Sequence, residues 1–293
     1  MIRKPILLIA FVLLLAGCAT QPRKPAIILP PVAQPATQRH NPGQVIWHDL
    51  ATRDLEQAKA FYGDLFGWTF EQLNPGGRQY TVVYLQGIPI GGMFTFSNED
   101  SDKGTGEWLI NLSSANVARD ANLFEKAGGK VLEPAREAPN RGTAAFVRDP
   151  QQAVMILTNS SSGDPEEGNI PQGGWLWNEL WTHDVAAAES FYTEVFEYDA
   201  KQLETGGERE YILLEKDGVP LGGILQLLDR DVRPHWVPFI RVENIQDAVA
   251  KAIELGAKVL IEPDPAIREG KVSLLLGPGG EPVVLQEFQF QNN

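Results

Sequence analysis

The sequence predicts an α+β protein made of four βαβββ units. Two observations carry this. The stretch VIWHDLATRDLEQAKAFYGDLFGW at 45–68 returns as WLWNELWTHDVAAAESFYTEVFEY at 175–198, so that Asp54 aligns with Asp184, 184 − 54 = 130 positions later, and Phe61-Tyr62 with Phe191-Tyr192. The matches also run on past the helices: Ile90-Gly91-Gly92 answers Leu221-Gly222-Gly223, and Gly129-Lys130-Val131-Leu132-Glu133-Pro134 answers Ala257-Lys258-Val259-Leu260-Ile261-Glu262-Pro263. Repetition at this depth sets the architecture before any single motif is weighed.

The elements follow in order. Val45 to Thr52 reads as a strand, and Asp54 caps a helix whose apolar residues Leu55, Ala58, Phe61, Tyr62 and Leu65 recur at helical spacing up to Gly67. Gln79 to Leu85 and Gly91 to Phe96 read as strands. The plan recurs with a strand at Glu107 to Leu112, the cap Asn116, a helix over Val117 to Ala127 stopped by Gly128-Gly129, and strands at 130–132, 143–148 and 154–158. These make one module over 44–160. A Ser/Gly-rich linker spans 161–173, and a second module spans 174–289, with caps at Asp184 and Asn244.

The first 43 residues have other tasks. Arg3 and Lys4 precede an apolar run from Ile6 to Gly17, too short for the roughly 20 residues that span a bilayer and suited to a signal peptide over 1–18. Leu15-Ala16-Gly17-Cys18 resembles the bacterial lipoprotein cleavage box, which implies a diacylated Cys18 and a protein held to a bacterial cell-envelope membrane. Ala19 after the cysteine resembles the sorting pattern for the outer membrane, on its periplasmic face in a Gram-negative cell. Residues 19–43 carry Pro22, Pro25, Pro30, Pro31, Pro35 and Pro42 and read as an extended spacer, unless Ala26 to Leu29 adds a strand to the body.

Cys18 is the only cysteine, which excludes disulfides, a thiol nucleophile and thiolate metal sites in the folded body. The formal charge is −13, near −15 once Arg3 and Lys4 are removed, and no basic stripe appears; nucleic acid is excluded as a partner.

The strand followed by Asp and a helix ending Phe-Tyr, the Gly-Gly strand, the Gly-Gly-Lys-Val turn and Arg148-Asp149-Pro150 together resemble the vicinal oxygen chelate superfamily of glyoxalases, bleomycin-resistance proteins and extradiol dioxygenases. The resemblance covers 44–160 and 174–289. It implies two tandem modules, each an eight-stranded cup with helices on its outer face and a ligand inside. It also implies where metal ligands would stand: seven residues before each cap and in each last strand. Those positions hold Trp47, Trp177, Leu109, Val237, Ile156 and Val284. None is a ligand type, so no metal site and no cofactor is expected. Of the four histidines, His40, His48, His183 and His235, no two have metal-ligand spacing.

Strand alternation puts Trp47, Asp49 and Ala51 on one face, and Trp177, Glu179 and Trp181 on its counterpart. With the equivalent Tyr80 and Tyr211, these form candidate ligand walls: indole and phenol faces around one carboxylate suit a small apolar or cationic molecule. Asp49 and Glu179 are also candidate general bases. The competing reading is that the aromatic rings simply fill the cups. Three functions follow: a lipid-anchored binder of a small molecule or partner, an enzyme of the family's kind using an unusual metal or a carboxylate base, and a structural envelope protein.

Overall fold

The computed structural model describes residues 29–73, 79–95, 105–166, 168–204 and 209–290. Residues 1–28, with the expected signal peptide and Cys18, lie outside these. Among the described residues no helix is long and apolar enough to cross a membrane.

The first module contains β1 (Val45–Thr52), α1 (Leu55–Phe66), β2 (Thr69–Leu73), β3 (Tyr80–Leu85), β4 (Ile88–Thr95), β5 (Glu107–Ser113), α2 (Val117–Lys126), β6 (Lys130–Ala138), β7 (Gly142–Arg148) and β8 (Val154–Ser160). The second contains β9 (Trp175–Thr182), α3 (Val185–Phe196), β10 (Asp199–Gln202), β11 (Tyr211–Lys216), β12 (Val219–Gln226), β13 (His235–Val242), α4 (Ile245–Glu254), β14 (Lys258–Ile261), β15 (Val272–Leu276) and β16 (Pro282–Glu287). Each module forms one eight-stranded sheet, ordered β2-β3-β4-β1-β5-β8-β7-β6 and β10-β11-β12-β9-β13-β16-β15-β14. Four βαβββ units in two tandem modules are therefore present. In each unit the first strand pairs parallel with the last, a pairing that needs the helical crossover.

All four expected caps form: Asp54, Asn116, Asp184 and Asn244 accept from the backbone N–H of Gln57, Arg119, Ala187 and Asp247. Gly67 ends α1 in the left-handed region (φ 71°), and Glu197 takes the same conformation after α3 (φ 59°). Two strands escaped the sequence reading. β2 (TFEQL) and β10 (DAKQ) are short, largely exposed edge strands without an apolar run to mark them.

The residues expected to continue the spacer as far as 43 instead lie against the first module from residue 30 or so. Val32 and Ala33 are buried. Ser162 Oγ accepts from Ala33 N, and Ser162 O accepts from both Thr37 N and Gln38 N. Asp164 Oδ2 accepts from Asn41 N at 2.6 Å. The polar linker supplies partners for this strap's backbone, and burial of its two apolar residues adds to the hold.

The helix-bearing faces of the two sheets are turned toward each other. One core joins Ile110, Phe124 and Leu157 of the first module to Leu180, Phe191 and Trp236 of the second. The other joins Leu50, Phe61 and Trp108 to Ile240, Val249 and Leu285. Tyr62 OH, on α1, accepts from Trp108 Nε1 (3.0 Å) and donates to Glu281 of the second module (2.9 Å). Tyr192 OH, its counterpart on α3, accepts from Trp236 Nε1 (3.2 Å) and donates to Asp149 of the first (3.0 Å).

His48 and its counterpart Asn178 meet at the middle of this interface, with Nε2 2.7 Å from Asn178 Oδ1 and the imidazole stacked on Trp175 at 4.0 Å. Burial pushes the His48 pKa down to about 4, against the opposing pull of the Asn178 hydrogen bond. A group harder to protonate folded than unfolded favours folding above its unfolded pKa near 6.5 and loses that contribution as pH falls through the folded value. Stability should therefore drop by up to about 3 kcal/mol between pH 6.5 and 4. Urea denaturation across that range should show the drop, and His48→Gln should flatten it.

Candidate functional site

The concave faces lie opposite the shared cores. A β-bulge aims their first residues. Pairing of β1 with β5 shifts between Val45 and Trp47, and pairing of β9 with β13 shifts at the equivalent place. Ile46 and Trp47 then both pack in the first cup, while Val45 packs in the inter-module core. In the second module Leu176 and Trp177 pack in the cup, and Trp175 turns out to the interface.

In the first cup Trp47 is 1 % exposed and Asp49 is buried. Asp49 Oδ1 accepts from Tyr80 OH (2.6 Å) and Trp47 Nε1 (3.2 Å), and Oδ2 accepts from Asn111 Nδ2 (2.9 Å). Thr158 in turn donates to Asn111 Oδ1. Burial and the neighbouring Asp49 raise the Tyr80 pKa well above the ordinary phenol value, so it remains a donor. The Arg141 guanidinium lies over the Trp47 ring at 3.7 Å and donates to Pro30 O of the strap. Val32 packs against Ile46, Trp47 and Val82. The side chains proposed as a ligand wall here fill the cup themselves, and the strap closes it.

The second cup is lined by Trp181, Val237, Phe239, Leu274 and Val284, with Trp177 half-buried beside them. Glu179 is 1 % exposed. Its Oε2 accepts from Trp181 Nε1 (3.1 Å), and its Oε1 pairs with Arg268. Trp177 Nε1 donates to Tyr211 OH at 3.2 Å. Burial first, and Glu179 second, raise the Tyr211 pKa. Arg268 also lies 5.2 Å from the Phe239 ring and 5.9 Å from the Tyr211 ring. Register makes Phe239 the partner of Trp177 where Asn111 is the partner of Trp47. In both cups each carboxylate oxygen already accepts from the protein, so neither Asp49 nor Glu179 offers an unengaged oxygen to a substrate proton.

The repeated Gly-Gly pair explains how each tyrosine reaches its place. A Cβ on Gly92 would sit 1.9 Å from Tyr80 OH and 2.5 Å from Asp49 Oδ1, and one on Gly223 would sit 2.2 Å from Tyr211 OH. Each phenol lies across a bare stretch of backbone. Sequence reasoning saw the glycines but missed Asn111, Arg141 and Arg268. The only signal for the arginines was one in or beside the β6–β7 and β14–β15 turns.

The positions where the family holds metal carry indole and hydrocarbon. Trp47, Leu109 and Ile156, like Trp177, Val237 and Val284, have no lone pair suited to a divalent ion. Among the described residues no group of three or more His, Cys, Asp or Glu is placed to hold one. The residues present do not fit a metal.

A sequence profile of the Glyoxalase/Bleomycin resistance protein/Dioxygenase superfamily matches residues 44–155. Residues 44–155 form a domain of this superfamily. The second module repeats its topology. The chain is 26 % identical over 249 residues to the Mycobacterium bovis protein CFP32, provisionally named a glyoxylase, with 84 % of this chain and 95 % of that one covered. It is 26 % identical over 255 residues to the anthracycline biosynthesis protein DauV of Streptomyces sp. strain C5, covering 83 % and 92 %. In structure it is similar to 2,2',3-trihydroxybiphenyl 1,2-dioxygenase of Sphingomonas wittichii strain RW1 (TM-score 0.60, 17 % identity, 85 % and 91 % covered). It is likewise similar to the Mn(II)-bound glyoxalase of Novosphingobium aromaticivorans (TM-score 0.59, 14 % identity, 85 % and 83 % covered). These structural likenesses establish the fold.

Gly92→Ala should force Tyr80 off Asp49 and cost about 1–3 kcal/mol, the usual range for overpacking a filled core. Urea titration with tryptophan fluorescence measures it. An unchanged midpoint would mean that Tyr80 is not held against the glycine.

Proposed function

We propose that this protein is a lipid-anchored envelope member of the vicinal oxygen chelate superfamily that binds a small molecule through its second module, without a divalent metal at the family's positions. The observation that carries this reading is the donor set: six positions that would coordinate a metal are occupied by Trp47, Trp177, Leu109, Val237, Ile156 and Val284. The second cup is the better candidate. It presents a half-buried indole, Trp177, and a partly exposed cation, Arg268, at its rim, whereas the first is closed by Val32 and Pro30. Both arrangements support recognition over hydrolysis or oxidation, because the acid groups are spent on internal hydrogen bonds.

The glyoxylase name carried by a relative at 26 % identity supports a shared scaffold and leaves the chemistry to be tested here. Elemental analysis of protein purified without chelator should find Zn, Ni, Mn and Fe far below one per chain, and none of these ions should raise the melting temperature. Stoichiometric metal would replace the binding reading with that of an enzyme.

The membrane tether rests on Cys18 and the apolar run before it. In the native host, Cys18→Ser should move the protein from the membrane to the soluble fraction, and mass spectrometry of the wild-type N-terminal peptide should find acyl chains on Cys18. An unmodified N-terminal peptide would remove the anchor.

A further inference from the structure

The two cups solve one problem differently. Each buries a carboxylate among aromatic rings, and a buried carboxylate needs strong partners. Asp49 has three neutral donors in Tyr80, Trp47 and Asn111. Glu179 has Trp181, the neighbouring Tyr211 hydroxyl and one cation, Arg268. Among the described residues, the apolar cluster around Glu179 is drawn wholly from the second module, with no counterpart of Val32 in it. The Arg268 side chain remains 38 % exposed, and its hydrogen bond from Nη1 to Gln286 Oε1 is long at 3.4 Å.

The segment that carries Arg268 is held under strain. Arg268 (φ 46°) and Glu269 (φ 60°) are consecutive non-glycine residues in the left-handed region. The turn closes on itself, with Ile267 N donating to Asp264 O, Gly270 N to Ile267 O and Lys271 N to Arg268 O. Glu269 pairs with Lys271 inside the same turn. Apart from the Arg268 contacts and a hydrogen bond from Glu287 N of β16 to Lys271 O at its far end, these bonds tie the turn to its own residues, so the part around Arg268 can swing out while β14 and β15 stay paired. On the cup's inner face, opposite Trp181, His235 Nδ1 lies 2.7 Å from Arg233 O, and its buried Nε2 has no hydrogen-bond partner.

We infer that the second cup is a site for a small organic monocation, an alkylguanidinium or a primary amine, and that Arg268 fills it in cis as a tethered stand-in. The guanidinium already shows the recognition: a charge pair with Glu179 and the faces of Phe239 and Tyr211 around it, the combination that selects cations. A free ligand makes the same contacts without the strained turn, and the displaced arginine returns to water. The inference rests on the proposed binding function and names the class of ligand.

The test uses the full chain with Arg268→Ala and Arg268→Gln, the second retaining part of the stem should the first fail to fold. Calorimetry and tryptophan fluorescence are followed with n-propylguanidinium, with its uncharged isostere n-propylurea, and with benzoate. Either variant should bind n-propylguanidinium at least tenfold more tightly than wild type and ignore n-propylurea. Adding Glu179→Gln should abolish that gain. In wild type, saturating n-propylguanidinium should speed amide exchange at residues 264–271. The inference is overturned if neither variant gains affinity or if the gain survives Glu179→Gln. Benzoate bound by wild type and lost in Arg268→Ala would make Arg268 an anion receptor, overturning the cation site but keeping the binding function. Stoichiometric metal in wild type would remove the binding function itself.

Discussion

Two tyrosine hydroxyls hold the contact on which the rest of the molecule depends. Tyr62 and Tyr192 each bridge an indole N–H of their own module and a buried carboxylate of the other. Burial raises the pKa of both carboxyls, Glu281 and Asp149, and of both phenols. Each phenol is a donor and an acceptor at once, so losing either would leave a buried indole and a buried acid short of a partner, the costly side of hydrogen-bond energetics. The pair commits the helix-bearing faces to one another. A single module would expose a wide apolar surface, including Phe61 and Phe66 of α1 or Phe191 and Phe196 of α3.

Back-to-back packing has a consequence for function. The helices are spent on the interface, so the concave faces are left to meet ligand, strap or solvent. His48 and Asn178 mark where the two modules' equivalent strands meet, and the orphaned His48 Nδ1 shows how completely that place is closed. The two cups face away from each other, and nothing requires them to remain alike.

Much of this was legible in the sequence, for a physical reason. Caps, helical spacing and repeats are local, and Asp54, Asn116, Asp184 and Asn244 behave as local rules require. Alternation from Trp47 to Asp49 and from Trp177 to Glu179 is likewise local, and it holds. It fails one residue earlier, where the bulge turns Ile46 inward beside Trp47 and sends Trp175 to the interface. Bulges carry no composition signal when the residues are apolar on both sides. The strap was hidden because its anchors, Ser162 and Asp164, lie more than a hundred residues away. The arginines were hidden because a turn's conformation, not strand parity, decides where its side chains point.

The divergence of the cups follows from two linked positions. Asn111 in the first module is Phe239 in the second, each opposite the inward tryptophan of the neighbouring strand. Thr158, which orients Asn111, is likewise replaced by Gln286. The amide is one of the three neutral donors that satisfy Asp49, and the second cup lacks it. Glu179, one methylene longer than Asp49, then needs charge, and Arg268 supplies it. A cup completed by neutral hydrogen bonds has nothing to exchange, because each donor is fixed in a strand. A cup completed by a cation on a strained surface turn has one exchangeable part. The substitution that emptied the second cup of its amide is thus what gives it a partner that can be displaced.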